Sequence, residues 1–128
     1  MMMRHKSLIS LGFWWLAAVL AFASAGDGAW LSAVPAKEHN RANPYTGNGE
    51  AALAGAKLFE NHCAACHGAD AQGKGRKPGL HSGRIRNAAA GDLQWLLTNG
   101  SLKNGMPSWA RLPQQQRWQI VTYLKTLP

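Results

Sequence analysis

The sequence predicts an all-α domain of three to four helices joined by large loops. Apolar residues recur three and four positions apart in three separate segments of the 128-residue chain, which is the spacing of a helix with one buried face. No segment shows the alternation of apolar and polar residues that is typical of a half-buried strand. Residues 68–90 are rich in Gly, Lys and Arg, and a loop of that length in a small domain is usually either functional or disordered. So small a domain buries little surface, which favours a bound group at its centre.

The N-terminus has the plan of a secretory signal peptide. Residues 1–6 are short and basic, residues 7–23 are an apolar run, and Ala23, Ser24 and Ala25 form a small-residue cleavage site. We therefore expect cleavage after Ala25 and export to the periplasm. An uncleaved membrane anchor is the alternative, because the apolar run is about as long as the shortest spanning helix, roughly 17 residues. No later segment is apolar enough to span a bilayer, so the cleaved chain is not expected to insert into a membrane.

Removal of the leader (residues 1–25) leaves an N-terminal lead-in, residues 26–49, ahead of a domain at residues 50–128. The lead-in is rich in Gly, Asn, Pro and Ala and has no sustained period, so we expect an extended segment that drapes over the domain. Its candidate contacts with the domain are apolar side chains: Trp30, Val34 and Tyr45.

The exported part of the chain is strongly basic. The sequence has fourteen Lys and Arg residues against six Asp and Glu, and only Arg4 and Lys6 lie in the leader, so twelve basic residues remain. No nucleic-acid partner is expected for an exported protein, and an acidic protein surface is the better match. Two cysteines are too few for a disulfide-scaffolded secreted domain, which carries four or more.

The first predicted helix runs from Glu50 to His62. Asn48 precedes it as a good N-cap residue. Gly55 lies inside this helix, where glycine costs up to about 1 kcal/mol relative to alanine. We therefore expect a second helix to approach closely at Gly55.

Two further helices follow. The shorter one begins near Asp92 and ends at Gly100, a residue suited to the C-terminus of a helix, with three leucines on one face: Leu93, Leu96 and Leu97. The last helix has Pro113 in its first turn and lacks a side-chain N-cap. Its predicted buried face consists of Ile120, Val121, Leu124 and Leu127.

The motif "CAACH" at residues 63–67 contains the only two cysteines of the chain, Cys63 and Cys66. A thioredoxin-like pair would follow a strand in a βαβ pattern, whereas this motif ends a helix. A structural zinc site needs four ligands, and only His62 and His81 are candidates to complete one. Covalent haem attachment uses this spacing, with two thiols for the haem vinyl groups and a histidine, His67, for the iron. We therefore expect one covalent haem c.

Met106 is the only methionine outside the leader. A lone methionine is more often a core residue, but Met106 lies in "NGMPSW", among turn-forming residues instead of a helical stripe. These neighbours favour a role as the second axial ligand of the iron. Met/His ligation raises the haem potential and suits electron transfer.

From about Gly55 to Leu127, the chain resembles the class I monohaem c-type cytochromes of the soluble bacterial type. The resemblance rests on four stretches: "GAKLFENHCAACHG", "GKGRKPGL", "NGMPSW" and "WQIVTYLKTL". It implies the cytochrome c fold wrapped around one haem, with the Gly55 helix crossing the last helix near Tyr123. It also implies that the Pro78 carbonyl accepts a hydrogen bond from His67 Nδ1. The lead-in lies outside the resemblance, and the last helix lacks the usual polar cap. The resemblance therefore does not identify the partner.

Further side chains are candidates for the haem surroundings. The expected pocket residues are Pro78, Leu80, Trp95 and Trp109, with Trp118 as a further aromatic wall. Arg84 and Arg86 are candidate propionate contacts, with an ordinary solvated basic surface as the alternative. Four cations are expected to flank the exposed haem edge as a docking ring or as plain solubilising charge: Lys74, Arg76, Lys77 and Lys103.

These observations predict a monomeric exported electron carrier that is not an enzyme. It would pass single electrons between a dehydrogenase or reductase and an acidic acceptor, such as a periplasmic oxidase. The first alternative is a haem-based sensor or peroxidase-type enzyme with displaceable Met106. The second is a thiol–disulfide oxidoreductase.

Overall fold

A computed structural model describes residues 28–128 of the chain. The expected signal peptide, residues 1–25, lies outside the described residues, as does the cleavage site after Ala25. The described part contains six α-helices: α1 (Ala36–His39), α2 (Gly49–His62), α3 (Ala64–His67), α4 (Gly83–Asn87), α5 (Ala90–Asn99) and α6 (Gln114–Leu124). Two 3-10 turns accompany them, Ala29–Ala33 and Leu102–Asn104. Residues 28–128 contain no strand, only two isolated bridges, so the all-α prediction is confirmed.

Helix α2 begins and packs as the sequence predicts. The Asn48 side chain accepts a hydrogen bond from the Ala51 amide at 2.9 Å, which satisfies one of the free donors at the helix start. Helices α2 and α6 cross at Gly55, where a Cβ atom would lie 1.9 Å from the backbone oxygen of Gln119. The Tyr123 ring also meets Phe59, with ring centroids 5.3 Å apart. The crossing implied by the resemblance is therefore present.

The two later helices hold the rest of the core. Helix α5 ends at Gly100, whose φ of 71° is a left-handed conformation that glycine adopts without strain. Helix α6 follows Pro113 and has no side-chain cap, as predicted. The largest fully buried side chains come from α2, α5 and α6: Phe59, Leu93, Gln94, Ile120 and Val121. Leu127, predicted on the face of α6, follows the helix and is half-buried.

The lead-in differs from the extended segment that the sequence predicts. It forms the first 3-10 turn and α1, and it packs on α5. Gly91 permits this packing, because a Cβ atom there would lie 1.8 Å from the Glu38 carbonyl oxygen. His39 Nδ1 lies 2.8 Å from an oxygen of Asp92, and the Asn43 amide donates to the Thr122 hydroxyl at 2.9 Å. Tertiary contacts therefore stabilise helical turns that have no local apolar period.

The sequence predicts one continuous loop from residue 68 to 90, but this stretch contains α4. Its start is capped by Ser82, whose hydroxyl accepts from the Ile85 amide at 3.4 Å. At its end, Lys125, the residue that follows α6, donates to the Ala88 carbonyl at 2.7 Å and also reaches the Arg86 carbonyl. A distant ammonium group thus satisfies the free carbonyls of this one-turn helix.

Within residues 28–128, no helix is long and apolar enough to cross a membrane.

Candidate haem site

The two cysteines and the histidine lie where α2 gives way to α3. Cys63 is the residue between α2 and α3. Its carbonyl accepts hydrogen bonds from the amides of Cys66 at 3.1 Å and His67 at 2.9 Å. This single turn brings the two side chains, three positions apart, to the same side of the backbone. Gly68 follows with a φ of 82° and turns the chain away.

The two cysteines are not joined by a disulfide, and their surroundings differ. Cys63 is half-buried and Cys66 is exposed. Burial, and secondarily the neighbouring Cys66, raise the pKa of Cys63 to about 11. Disulfide exchange depends on a thiolate with a lowered pKa, and Cys63 does not provide one. Two cysteine side chains on one turn are compatible with addition to two vinyl groups.

His67 is oriented by the loop that follows the motif. Its Nδ1 lies 2.8 Å from the Pro78 carbonyl oxygen. Because a carbonyl can only accept, Nδ1 carries a proton, and in the neutral ring Nε2 has the free lone pair. The loop is tied back by two backbone bonds, from Gly73 to the His67 carbonyl and from Leu80 to the Ala71 carbonyl, both 2.7 Å. The hydrogen bond implied by the resemblance is therefore present, and it leaves an imidazole ready to ligate a metal.

Met106 is held in a short, well-bonded turn. Ser101 and Met106 exchange two backbone hydrogen bonds, of 2.9 and 3.1 Å, around the second 3-10 turn. Gly105 closes the turn with a φ of 80°. The Met106 side chain is half-buried and packs against the hydrophobic core. The turn fixes the backbone of Met106 and leaves its thioether at the margin of the core.

The loop after the motif meets the Met106 turn. The Lys77 ammonium nitrogen lies 3.0 Å from the position that a Cβ on Gly105 would occupy. Lys74 and Lys77 exchange backbone hydrogen bonds of 2.9 and 3.2 Å, so Arg76 lies in the same tight turn, and Lys103 lies in the facing 3-10 turn. The structure thus brings together the loops that carry the four cations singled out from the sequence.

Trp109 connects the Met106 segment to the end of α2. Its amide donates to the Leu97 carbonyl at 2.8 Å. Its ring lies 5.3 Å from the His62 ring, centroid to centroid, and the Arg111 guanidinium carbon lies 4.4 Å from its centre. Neither contact was predicted, since Arg111 carries no sequence signal and His62 was weighed only as a metal ligand.

The other expected pocket residues are dispersed around this centre. Leu80 is half-buried and packs against the core, and Trp95 is half-buried in the middle of α5. Arg84 and Arg86 lie exposed on α4. Trp118 is buried under the lead-in, with the Arg41 guanidinium carbon 5.5 Å from its ring centre.

Three side chains in the described part of the chain have buried polar atoms without a hydrogen-bond partner. These atoms are both amide atoms of Gln94, Nε2 of His81 and Nε of Arg117. Buried polar atoms are nearly always satisfied, so a bound group or an internal water is expected beside each. No sequence signal singles out Gln94, because its position in the helical pattern is typical of a polar face. No group of three or more His, Cys, Asp and Glu side chains suited to a metal ion occurs among residues 28–128, so the zinc alternative finds no ligand set there.

The chain is similar to several known proteins. Residues 50–124 match the family described as "Cytochrome C oxidase, cbb3-type, subunit III". Cytochrome c550 of Pseudomonas aeruginosa is 32% identical over 91 residues, which are 66% of this chain and 61% of that protein. The crystal structure of cytochrome CL from the marine methylotrophic bacterium Methylophaga aminisulfidivorans MPT has a TM-score of 0.56 and 26% identity, over 65% of this chain and 57% of that one. The chain therefore spans less than two thirds of the length of either relative.

Proposed function

Because the chain belongs to the cytochrome c family described as cytochrome c oxidase, cbb3-type, subunit III, we propose that it is an exported carrier of single electrons. Its cofactor is haem c, with which Cys63 and Cys66 are compatible as the attachment site. In this proposal the leader is cleaved after Ala25, and the monomeric product works in the periplasm.

The hydrogen bond between His67 and Pro78 is the observation that carries the proposal. It holds Nδ1 protonated and directs Nε2 away from the loop, which is what an axial ligand requires. Met106 would supply the second ligand from its fixed turn. The bound haem provides an iron centre that gains and loses one electron, and thioether ligation favours its reduced form.

Occupation of both axial positions separates a carrier from an enzyme. With His67 and Met106 both holding the iron, no coordination position would remain for a substrate. The double backbone bond between Ser101 and Met106 supports a ligand that stays in place. A sensor or peroxidase-type protein would need Met106 to leave readily, and nothing in the geometry of this turn favours that alternative.

The remaining pocket residues have supporting roles in this proposal. Leu80, Trp95 and Trp109 exclude water from the haem. The Pro78 backbone lies beside His67, the proposed ligand of the iron. Arg84 and Arg86 contact the propionates, for which a guanidinium group is well suited. Trp118 is assigned to the contact between α6 and the lead-in instead of the haem pocket, because Arg41 covers it.

An acidic redox protein, such as a periplasmic dehydrogenase or oxidase, is the proposed partner. The contact between Lys77 and the Gly105 turn places the two basic loops side by side. Positive charge around the site of electron exit accelerates the approach of a negatively charged partner. No nucleic acid is involved in this proposal.

Electron transfer to a small anionic oxidant such as ferricyanide tests both the carrier function and the charged surface. The rate constant should fall as salt rises, because the Debye length shrinks from about 10 Å at 0.1 M to about 3 Å at 1 M. The double variant Lys74→Glu/Lys77→Glu should transfer electrons roughly tenfold more slowly at low salt, with an unchanged haem spectrum. Stopped-flow absorbance measures both effects.

The matched control is Lys37→Glu/Lys57→Glu, which makes the same charge change at exposed positions on α1 and α2. It should slow the reaction far less. Equal slowing in the two variants, or rates that ignore salt, would show that the four cations are ordinary solubilising charge. Rapid turnover of hydrogen peroxide by the parent protein would instead favour the peroxidase alternative.

A further inference from the structure

The Met106 segment is bonded to α5 along its length. Besides the Ser101–Met106 pair, the Ser108 hydroxyl donates to the Thr98 carbonyl at 2.6 Å, and the Trp109 amide donates to the Leu97 carbonyl at 2.8 Å. Gly100 packs so closely that a Cβ atom there would lie 2.7 Å from the Met106 oxygen. The segment is therefore expected to move with the end of α5.

The haem motif belongs to a different part of the fold. It follows α2 directly, and α2 is packed mainly on α6. Displacement of the Met106 sulfur from the iron would become easier if α5 and its attached segment could move away from the motif. A side-chain contact that spans these two parts would oppose that separation.

The stack of His62 and Trp109 is such a contact. His62 is the last residue of α2 and immediately precedes Cys63, whereas Trp109 lies three residues after Met106. Their ring centroids are 5.3 Å apart with planes inclined at 54°, within the range of favourable aromatic pairs. The Arg111 guanidinium carbon, 4.4 Å from the Trp109 ring centre, adds a cation–π contact. The indole is thereby contacted both by α2 and by its own loop.

We propose that Trp109 is a positioning residue whose contact with His62 holds the Met106 segment against the haem motif. Loss of the contact lets the thioether leave the iron more often, although neither ligand is altered. The inference rests on the proposed function, since it needs Met106 as the iron ligand. It adds a role for His62, which lies outside the expected pocket.

Cyanide binding to the ferric holoprotein tests this role, because cyanide enters only when the thioether has left. In His62→Ala, the association rate constant should rise roughly two- to tenfold, the factor that corresponds to the loss of one aromatic pair. His62→Phe keeps a ring at this position and should return the rate to within about twofold of the parent. Asn61→Ala, at the preceding exposed position of α2, is the control and should match the parent.

The redox potential provides a second readout. In His62→Ala it should fall, because weaker thioether ligation stabilises ferrous iron less, and His62→Phe should restore it. A cyanide rate in His62→Ala equal to that of Asn61→Ala would overturn the inference and leave the proposed function intact. A rate in His62→Phe as high as in His62→Ala would also overturn it, because stacking would then not be the operative contact. If the parent protein lacks thioether ligation, the proposed function fails, and this inference fails with it.

Discussion

Replacement of Met106 by alanine is expected to leave the haem attached but to open its sixth coordination position. The attachment depends on Cys63 and Cys66, which lie on a separate turn from Met106. Without the thioether, exogenous ligands reach the iron, and the potential falls by a substantial part of the roughly 0.8 V range that axial ligands span. Carbon monoxide binding to the reduced protein and a potentiometric titration measure the two effects.

Leu102→Ala is the control for this experiment, since Leu102 lies exposed in the same turn and makes no part of the core. It should bind carbon monoxide as poorly as the parent. If the ferric parent already binds azide as readily as Met106→Ala does, Met106 is not the ligand, and the sensor or peroxidase alternative gains support.

Gly55→Ala is expected to destabilise the protein by at least about 2 kcal/mol, by overpacking the crossing of α2 and α6. The added Cβ would lie 1.9 Å from the Gln119 backbone oxygen and 2.5 Å from its carbonyl carbon. Backbone atoms cannot rotate away as a side chain would, so the two helices must move apart. Helix propensity alone predicts the opposite sign, a gain of up to about 1 kcal/mol. Denaturant unfolding of the ferric holoprotein measures the difference.

Gly49→Ala provides the matched control within the same helix. Gly49 is the first residue of α2, and a Cβ there would meet nothing within 4 Å. This variant should be as stable as the parent or slightly more stable. Equal unfolding midpoints for Gly55→Ala and the parent would contradict the close crossing.

Local signals in the sequence predicted those parts of the fold that depend on local chemistry. The Asn48 cap and the Gly100 stop act within one helical turn, and both are present. Helix α4 and the turns of the lead-in were missed because distant residues stabilise them. Lys125 caps carbonyls nearly forty positions earlier, at separations of 37 to 40 residues. Gly91 makes room for a carbonyl of α1.

The candidate site likewise contains features that the local sequence predicts and features that only the fold creates. The spacing of the cysteine motif predicted haem attachment, and the turn residues around Met106 predicted an iron ligand. Both predictions were possible because ligand type and spacing are local properties. The resemblance implied the bond between His67 and Pro78 before any geometry was known. The His62–Trp109 stack had no such signal, since it joins the end of α2 to a loop that only the fold brings beside it. The buried Gln94 amide was missed because a single polar residue in an amphipathic pattern reads as solvent-facing.

The proposed function requires that haem is covalently bound to this chain at Cys63 and Cys66. The most direct test is acid–acetone extraction of the protein produced together with haem-attachment machinery, followed by a visible spectrum of the reduced polypeptide. We predict that the haem remains with the polypeptide and that its reduced α-band survives. A colourless polypeptide with two titratable thiols would contradict the claim.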